Sequence, residues 1–188
     1  PRPSGGSGSG CDGMPRPDLA GGRRRAVVTG CAGFIGSALA EALVAEGWGV
    51  TGVDCFTPTY PRSEKEANLA GLAREPAFDL VERDVAEGGL RPLLRGRPVV
   101  FHLAGEPGVR RSFGAGFADC MRNNVQALHR VLEDARAAGA ARVVWASSSS
   151  VYGETGGRPV AEDAPTAPAS PYGVAKRACE DLARAARA

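Results

Sequence analysis

Thr29-Gly30-Cys31-Ala32-Gly33-Phe34-Ile35-Gly36 joins a short apolar, β-prone run, Ala26 to Thr29, to a segment with helical spacing. Ile35, Leu39, Ala42 and Leu43 recur at that spacing, and Gly47 supplies the stop. Glycines at 30, 33 and 36 permit a tight turn, close backbone approach to a pyrophosphate, and close packing of helix on strand. The start of the helix then offers free N–H groups and the positive end of its dipole to phosphates. In a chain with 26 glycines such spacing alone is weak, and its place at the first strand-to-helix junction makes it strong.

Outward from this loop the pattern repeats. Val50 to Asp54 reads as a second strand, residues 64–74 as a helix, Phe78 to Asp84 as a third strand and Val99 to Leu103 as a fourth. Met121, Val125, Leu128, Val131, Leu132 and Ala135 mark one face of a long helix, before a fifth strand from Arg142 to Ala146. Ser170-Pro171 opens a last helix, with Ser as the cap and Pro in the first turn. Short apolar strands spaced by helices predict an α/β fold: a Rossmann-type, doubly wound parallel sheet with helices on both faces. Residues 1–25 read as a Gly/Ser/Pro-rich flexible tail, and 26–188 as one dinucleotide-binding domain, incomplete at its C-terminal end.

Composition excludes several functions. The chain has 43% hydrophobic and 23% charged residues, enough to bury a core. A net charge of +2 gives no reason to expect nucleic acid. No apolar run is long enough for a membrane span, and no secretory signal is visible. Five cysteines without a CxxC pair, and two His, argue against a metal centre or a disulfide framework, so a reducing cytoplasm is expected.

Asp54 lies 18 residues beyond Gly36, at the end of the second strand. A carboxylate there accepts the adenosine ribose hydroxyls and repels a 2′-phosphate, which favours NAD over NADP. Asp84-Val85, ending the third strand, could meet the adenine amino group, and a solvated acid is the plain alternative. The fifth strand runs into Ser147-Ser148-Ser149-Ser150-Val151-Tyr152-Gly153, placing hydroxyls at the rim where open α/β sheets bind ligands. Tyr172 and Lys176 stand one helical turn apart, roughly 6 Å, on one face. Arginine supplies all the basic residues except Lys65 and Lys176, so a lysine in this spacing is informative. An ammonium beside a phenol suits a base that acts on an alcohol.

Together, Gly30/Gly33/Gly36, Asp54, His102-Leu103-Ala104-Gly105, Ser147 to Gly153 and Tyr172/Lys176 resemble the extended short-chain dehydrogenase/reductase family. Within it the likeness is to NAD-dependent nucleotide-sugar epimerases and dehydratases. The resemblance implies a catalytic hydroxyl at Ser148, a base at Tyr172 and its partner at Lys176. It implies NAD contacts from Gly30, Gly33, Phe34, Ile35, Gly36, Asp54, Asp84, Val85, Leu103, Ala104, Gly105, Asn124, Tyr172 and Lys176. Substrate contacts would come from Ser148, Ser149 and Tyr172. Dehydratases of the family carry Asp-Glu after the catalytic hydroxyl, where this chain has Ser149 and Ser150, so elimination is disfavoured. HLAGEPGVRRS (102–112), DCFTPTY (54–60) and KEANL (65–69) look most like UDP-sugar 4-epimerases, those acting on UDP-glucuronate in particular. Cys55 replaces a common Asn, Ala127-Leu128 a common Gly-Thr, and Gly105 a common Ala. The implied partners are a UDP-sugar substrate and a second copy of the chain in a homodimer, with no nucleic acid and no membrane. Family members are longer, and most of the substrate domain is expected to be missing. Non-catalytic NAD binding and sugar-nucleotide decarboxylation are the competing readings.

Overall fold

The computed structural model describes residues 24–96 and 98–187. The tail expected over 1–25 lies outside the described residues except for Arg24 and Arg25, and Arg25 already begins the first strand.

Five strands, β1 (Arg25–Thr29), β2 (Gly49–Asp54), β3 (Phe78–Glu82), β4 (Val99–His102) and β5 (Arg142–Trp145), form one sheet in the order β3-β2-β1-β4-β5. Every pairing is parallel, with Val27 opposite Thr51 and Val100, and Asp54 opposite Glu82. The chain moves outward from β1 to β2 and β3, then crosses back to β4 on the other side. That reversal leaves a crevice beyond the carboxyl ends of β1 and β4, the place where doubly wound sheets bind ligands.

Helices cover both faces. On one side α1 (Phe34–Ala45) and α2 (Arg62–Leu69) close a core of Val28, Ala40, Leu43, Val50, Leu69 and Leu72. On the other, Val27, Val53, Leu90, Leu94, Val100 and Val131 pack beneath α4 (Ala127–Ala138). Alternate residues of β1 thus face opposite cores, which is why the strand is apolar throughout. Gly47 adopts φ +84 just past α1, and its N–H bonds Val44 O while Trp48 N–H bonds Leu43 O, a left-handed helix stop.

Three expectations need correction. The helix read over 64–74 is α2 at Arg62–Leu69, followed by a separate 3₁₀ turn at Leu72–Arg74. Strands three, four and five stop one or two residues short of their expected ends, because the chain turns there into the ligand-side loops. The long helix is three pieces, α3 (Phe117–Cys120), a π-helical segment Met121–Gln126, and α4. The apolar face continues through the widened turn, so side-chain periodicity did not betray the inserted residue. The final helix, α5 (Pro171–Ala185), is capped as expected, Ser170 Oγ accepting from Gly173 N–H at 3.0 Å.

Candidate active site

A cavity of about 460 Å³ occupies the crevice, within the range of small-molecule and cofactor sites. Its floor is the loop after β1. Gly30 turns with φ +72, and its N–H donates to Val53 O at 2.7 Å. Gly33 caps α1 with its backbone alone: no side chain caps this helix and no acid lies in its first turn, so the positive end stays open to an anion.

The two strand-end acids do not stand free. Asp54 is buried (7% exposed) and takes N–H bonds from Ala32 at 3.1 Å and Phe56 at 2.8 Å. Its third partner is Lys65 of α2, Nζ to Oδ1 at 3.4 Å, itself only 5% exposed. Lys65 Nζ also reaches Thr57 Oγ1 at 3.4 Å and lies 5.2 Å from the Tyr60 ring. To deliver its N–H, Phe56 adopts φ +52, an uncommon conformation for an aromatic residue, with the Arg62 guanidinium 4.3 Å over its ring. Removing either partner of the Asp54–Lys65 pair alone leaves an uncompensated buried charge, typically about 3–5 kcal/mol. Asp84 is likewise engaged. Its carboxylate caps the turn Val85–Glu87 through Ala86 N–H at 2.9 Å and pairs with Arg122 at 2.6 Å. Asp84 and Val85 line the cavity, but the carboxylate is already spoken for from two sides.

Along the β4 side, Leu103, Ala104 and Gly105 line the cavity. His102 (4% exposed) anchors this stretch: Thr29 Oγ1 lies 2.7 Å from Nδ1 and also accepts Ala104 N–H at 3.3 Å. The imidazole ring is neutral. Burial, with Lys176 nearby, holds its pKa down to about 3. The unfolded imidazole takes up a proton near pH 6.5, and the folded one does not until about pH 3. Stability is thus expected to fall as pH drops through that window, by about 1.4 kcal/mol per unit from this residue. Denaturant unfolding of the wild type and His102→Gln between pH 8 and 4 checks this; equal pH slopes would exclude it.

At the far end, Tyr172 and Lys176 of α5 both line the cavity, with Lys176 Nζ 5.8 Å from the Tyr172 ring centroid. Lys176 Nζ donates to Ala146 O at 3.1 Å, tying α5 to the end of β5. Burial pushes its pKa below the ordinary lysine range. Asn124 sits in the π-helical segment, donating through Nδ2 to Cys120 O at 2.9 Å and Glu106 O at 3.1 Å. Its Oδ1 is buried without a partner, and a Cβ on Gly105 would stand 2.9 Å from it and 3.7 Å from Lys176 Nζ. Asn124, Gly105 and Lys176 therefore meet. π-Helical turns recur at functional sites, where they aim a side chain that regular winding would misplace.

Ser148 is at the carboxyl end of β5, half-buried, its Oγ accepting Ser150 N–H at 3.2 Å and lying 3.1 Å from Ser150 Oγ. Its neighbour Ser147, not Ser148 or Ser149, lines the cavity. Three residues escaped the reading of the sequence. Lys65 pairs with Asp54; the sequence marked it as one of two lysines and as the start of KEANL, but not as this carboxylate's partner. Arg122 pairs with Asp84, hidden among 21 arginines. Ser112, 1% exposed, accepts Tyr172 N–H at 3.0 Å and donates to Val109 O at 2.7 Å, fixing the start of α5. The four described cysteines are free thiols, and burial raises Cys31 to about 12 and Cys179 to about 11, far from nucleophilic. Among the described residues no helix is long and apolar enough to cross a membrane.

A family model described as NAD dependent epimerase/dehydratase family matches residues 26–188. The chain is 44% identical over 157 residues to an uncharacterized UDP-glucose epimerase, YtcB, of Bacillus subtilis (strain 168), covering 83% of this chain and 49% of that protein. It is 41% identical over 159 residues to the UDP-glucose 4-epimerase of Mycolicibacterium smegmatis, with the same two coverages. The crystal structure of UDP-glucuronic acid 4-epimerase from Bacillus cereus, in complex with UDP-glucuronic acid and NAD, superposes with a TM-score of 0.82 at 36% identity. That match covers 87% of this chain and 52% of the other. The chain thus spans about half the length of the relatives it matches.

Proposed function

The chain belongs to the NAD dependent epimerase/dehydratase family, and from that premise we propose that residues 26–188 form an NAD-binding domain serving 4-epimerisation of a UDP-sugar. The observation that carries the reading is the placement of Tyr172 and Lys176 in the same cavity as the open N-terminus of α1. The cradle fits a dinucleotide: the helix end is uncapped, Gly33 presents bare backbone, and the acids at β2 and β3 stand along one wall.

Bound NAD supplies the acceptor and donor of a hydride. The chain supplies position and proton handling. Gly33 and the first N–H groups of α1 would hold the pyrophosphate. Asp54 would hold the adenosine ribose, Asp84 and Val85 the adenine, and Leu103, Ala104, Gly105 and Asn124 the nicotinamide end. Tyr172 takes the proton of the sugar 4-hydroxyl as hydride leaves C4 and the 4-keto sugar forms, and gives the proton back to that oxygen when hydride is returned to the opposite face of C4. Lys176, fixed by Ala146 O, stabilises negative charge on the phenolic oxygen. Ser148 and Ser149 orient the sugar, Ser148 by turning its hydroxyl from Ser150 to the substrate. The free thiols support a reducing, cytoplasmic setting. The exposed Phe117 and Val174 support self-association as a homodimer.

Incubation with NAD and either UDP-glucose or UDP-glucuronate tests the reading: the 4-epimer, of unchanged mass, is expected. Loss of carbon dioxide would assign a decarboxylase, loss of water a dehydratase, and NAD binding without sugar turnover a cofactor-binding module. NAD is expected to bind about tenfold more tightly than NADP, about 1.4 kcal/mol, because a 2′-phosphate meets the Asp54 carboxylate. Calorimetric titration with both cofactors measures it; tighter NADP binding would remove Asp54 from the ribose.

A further inference from the structure

We propose that Lys65 is a cofactor-specificity residue: its ammonium offsets the Asp54 carboxylate and limits how strongly the ribose end of the cavity rejects a 2′-phosphate. The inference rests on the reading of this cavity as a dinucleotide site. An acid at the end of the second strand excludes NADP when it presents a net negative charge to the ribose. Here it does not. Asp54 and Lys65 are both buried and both line the cavity, 3.4 Å apart. A 2′-phosphate brought to Asp54 therefore also meets the ammonium beside it, with both charges buried and weakly screened.

The surrounding charges do not restore the negative balance. Asp84 is paired with Arg122. The carboxylates left over around Arg62 and Arg122, among Glu66, Glu82 and Glu87, are exposed and outside the cavity lining, where solvent screens them. Arg83 lines the same cavity, its backbone N–H bonded to Asp54 O at 2.9 Å, and its guanidinium makes no ion pair among the described residues. An arginine so placed is a group that accommodates a 2′-phosphate in NADP-binding members of this fold. Lys65 is held from the other sides by Thr57, Phe56 and Tyr60, so it cannot swing away into solvent as a surface lysine would.

The test is a double-mutant cycle read by equilibrium binding of NAD and NADP to the chain at pH 8 and low salt. Expressed as the ratio of Kd for NADP to Kd for NAD, the wild type is expected near ten. Lys65→Met should raise it roughly tenfold, and Lys65→Arg should leave it near the wild-type value. Asp54→Asn should do more than equalise the cofactors: with Lys65 unopposed, NADP should bind several-fold tighter than NAD. Asp54→Asn with Lys65→Met should bring the two near equality. The double variant also guards against misfolding, since it removes both buried charges together rather than stranding one. A ratio unmoved by Lys65→Met, with Asp54→Asn giving mere equality, would overturn the proposal while leaving the NAD site standing. Failure of the wild type to bind either dinucleotide would overturn both.

Discussion

Tyr172→Phe is expected to lower UDP-sugar turnover by roughly 100-fold or more while leaving NAD affinity within a few-fold of the parent. The substitution removes one oxygen and keeps the ring, so packing of α5 against the loop at Ser112 survives. Tyr172 joins that loop through its backbone N–H, which the substitution does not touch. The phenolic oxygen is the only group lost, and a positioned acid–base contributes typically 10²–10⁴-fold. The measurement is steady-state turnover beside calorimetric NAD binding, on this chain. Where the chain alone does not turn over, the same pair is made in a fusion with the second half of a 4-epimerase relative. Lys176→Met makes the complementary variant: it keeps the stem but gives up both the charge and the bond to Ala146 O. Its turnover should fall with some loss of cofactor affinity as well. Turnover of Tyr172→Phe within a few-fold of the parent would leave Tyr172 a helix-surface phenol.

The sheet, the glycine loop and the Tyr172–Lys176 pair were legible because each is written in local sequence. Period, turn residues and a four-residue spacing need no knowledge of distant chain. The electrostatics were not. Asp54 meets Lys65 and Asp84 meets Arg122 only because α2 and the π-helical segment fold over the strand ends, pairings 11 and 38 residues apart. A reading of Asp54 as an isolated carboxylate therefore overstated its charge. The π-helical turn was hidden for another reason. One extra residue per turn shifts side chains round the axis without changing which residue types are apolar, and Asn124 inside it looks like any helix asparagine. Ser112 escaped because a serine that receives a backbone N–H from 60 residues away has no local signature.

Two glycines of the loop should fail in different ways when a single methyl group is added. Gly36 faces the turn beneath it: a Cβ there would lie 2.1 Å from Gly30 O and 2.8 Å from Gly30 C. Both atoms are backbone, in a turn fixed by the bond from Gly30 N–H to Val53 O, so nothing flexible can yield. Helix α1 would have to lift from β1 by more than an ångström, opening the core around Val28 and Ala40. Overpacking of this kind costs typically 1–3 kcal/mol, occasionally more. Gly36→Ala is accordingly expected to melt roughly 5–10 °C below the parent for a domain of this size. Gly33 is different. It has φ −79, open to any residue, and a Cβ would meet Gly30 O at 3.2 Å and the Tyr60 hydroxyl at 3.6 Å. Gly33→Ala should therefore melt within a degree or two of the parent. Its methyl group would stand instead where the backbone must approach a pyrophosphate, costing one charge-assisted hydrogen bond or more, roughly 1.5–3 kcal/mol. NAD affinity should drop about tenfold to a hundredfold on that account. Thermal melts and NAD titrations of the two variants decide it. An alanine at 33 that binds NAD like the parent would mean that the phosphates lie elsewhere than on this loop.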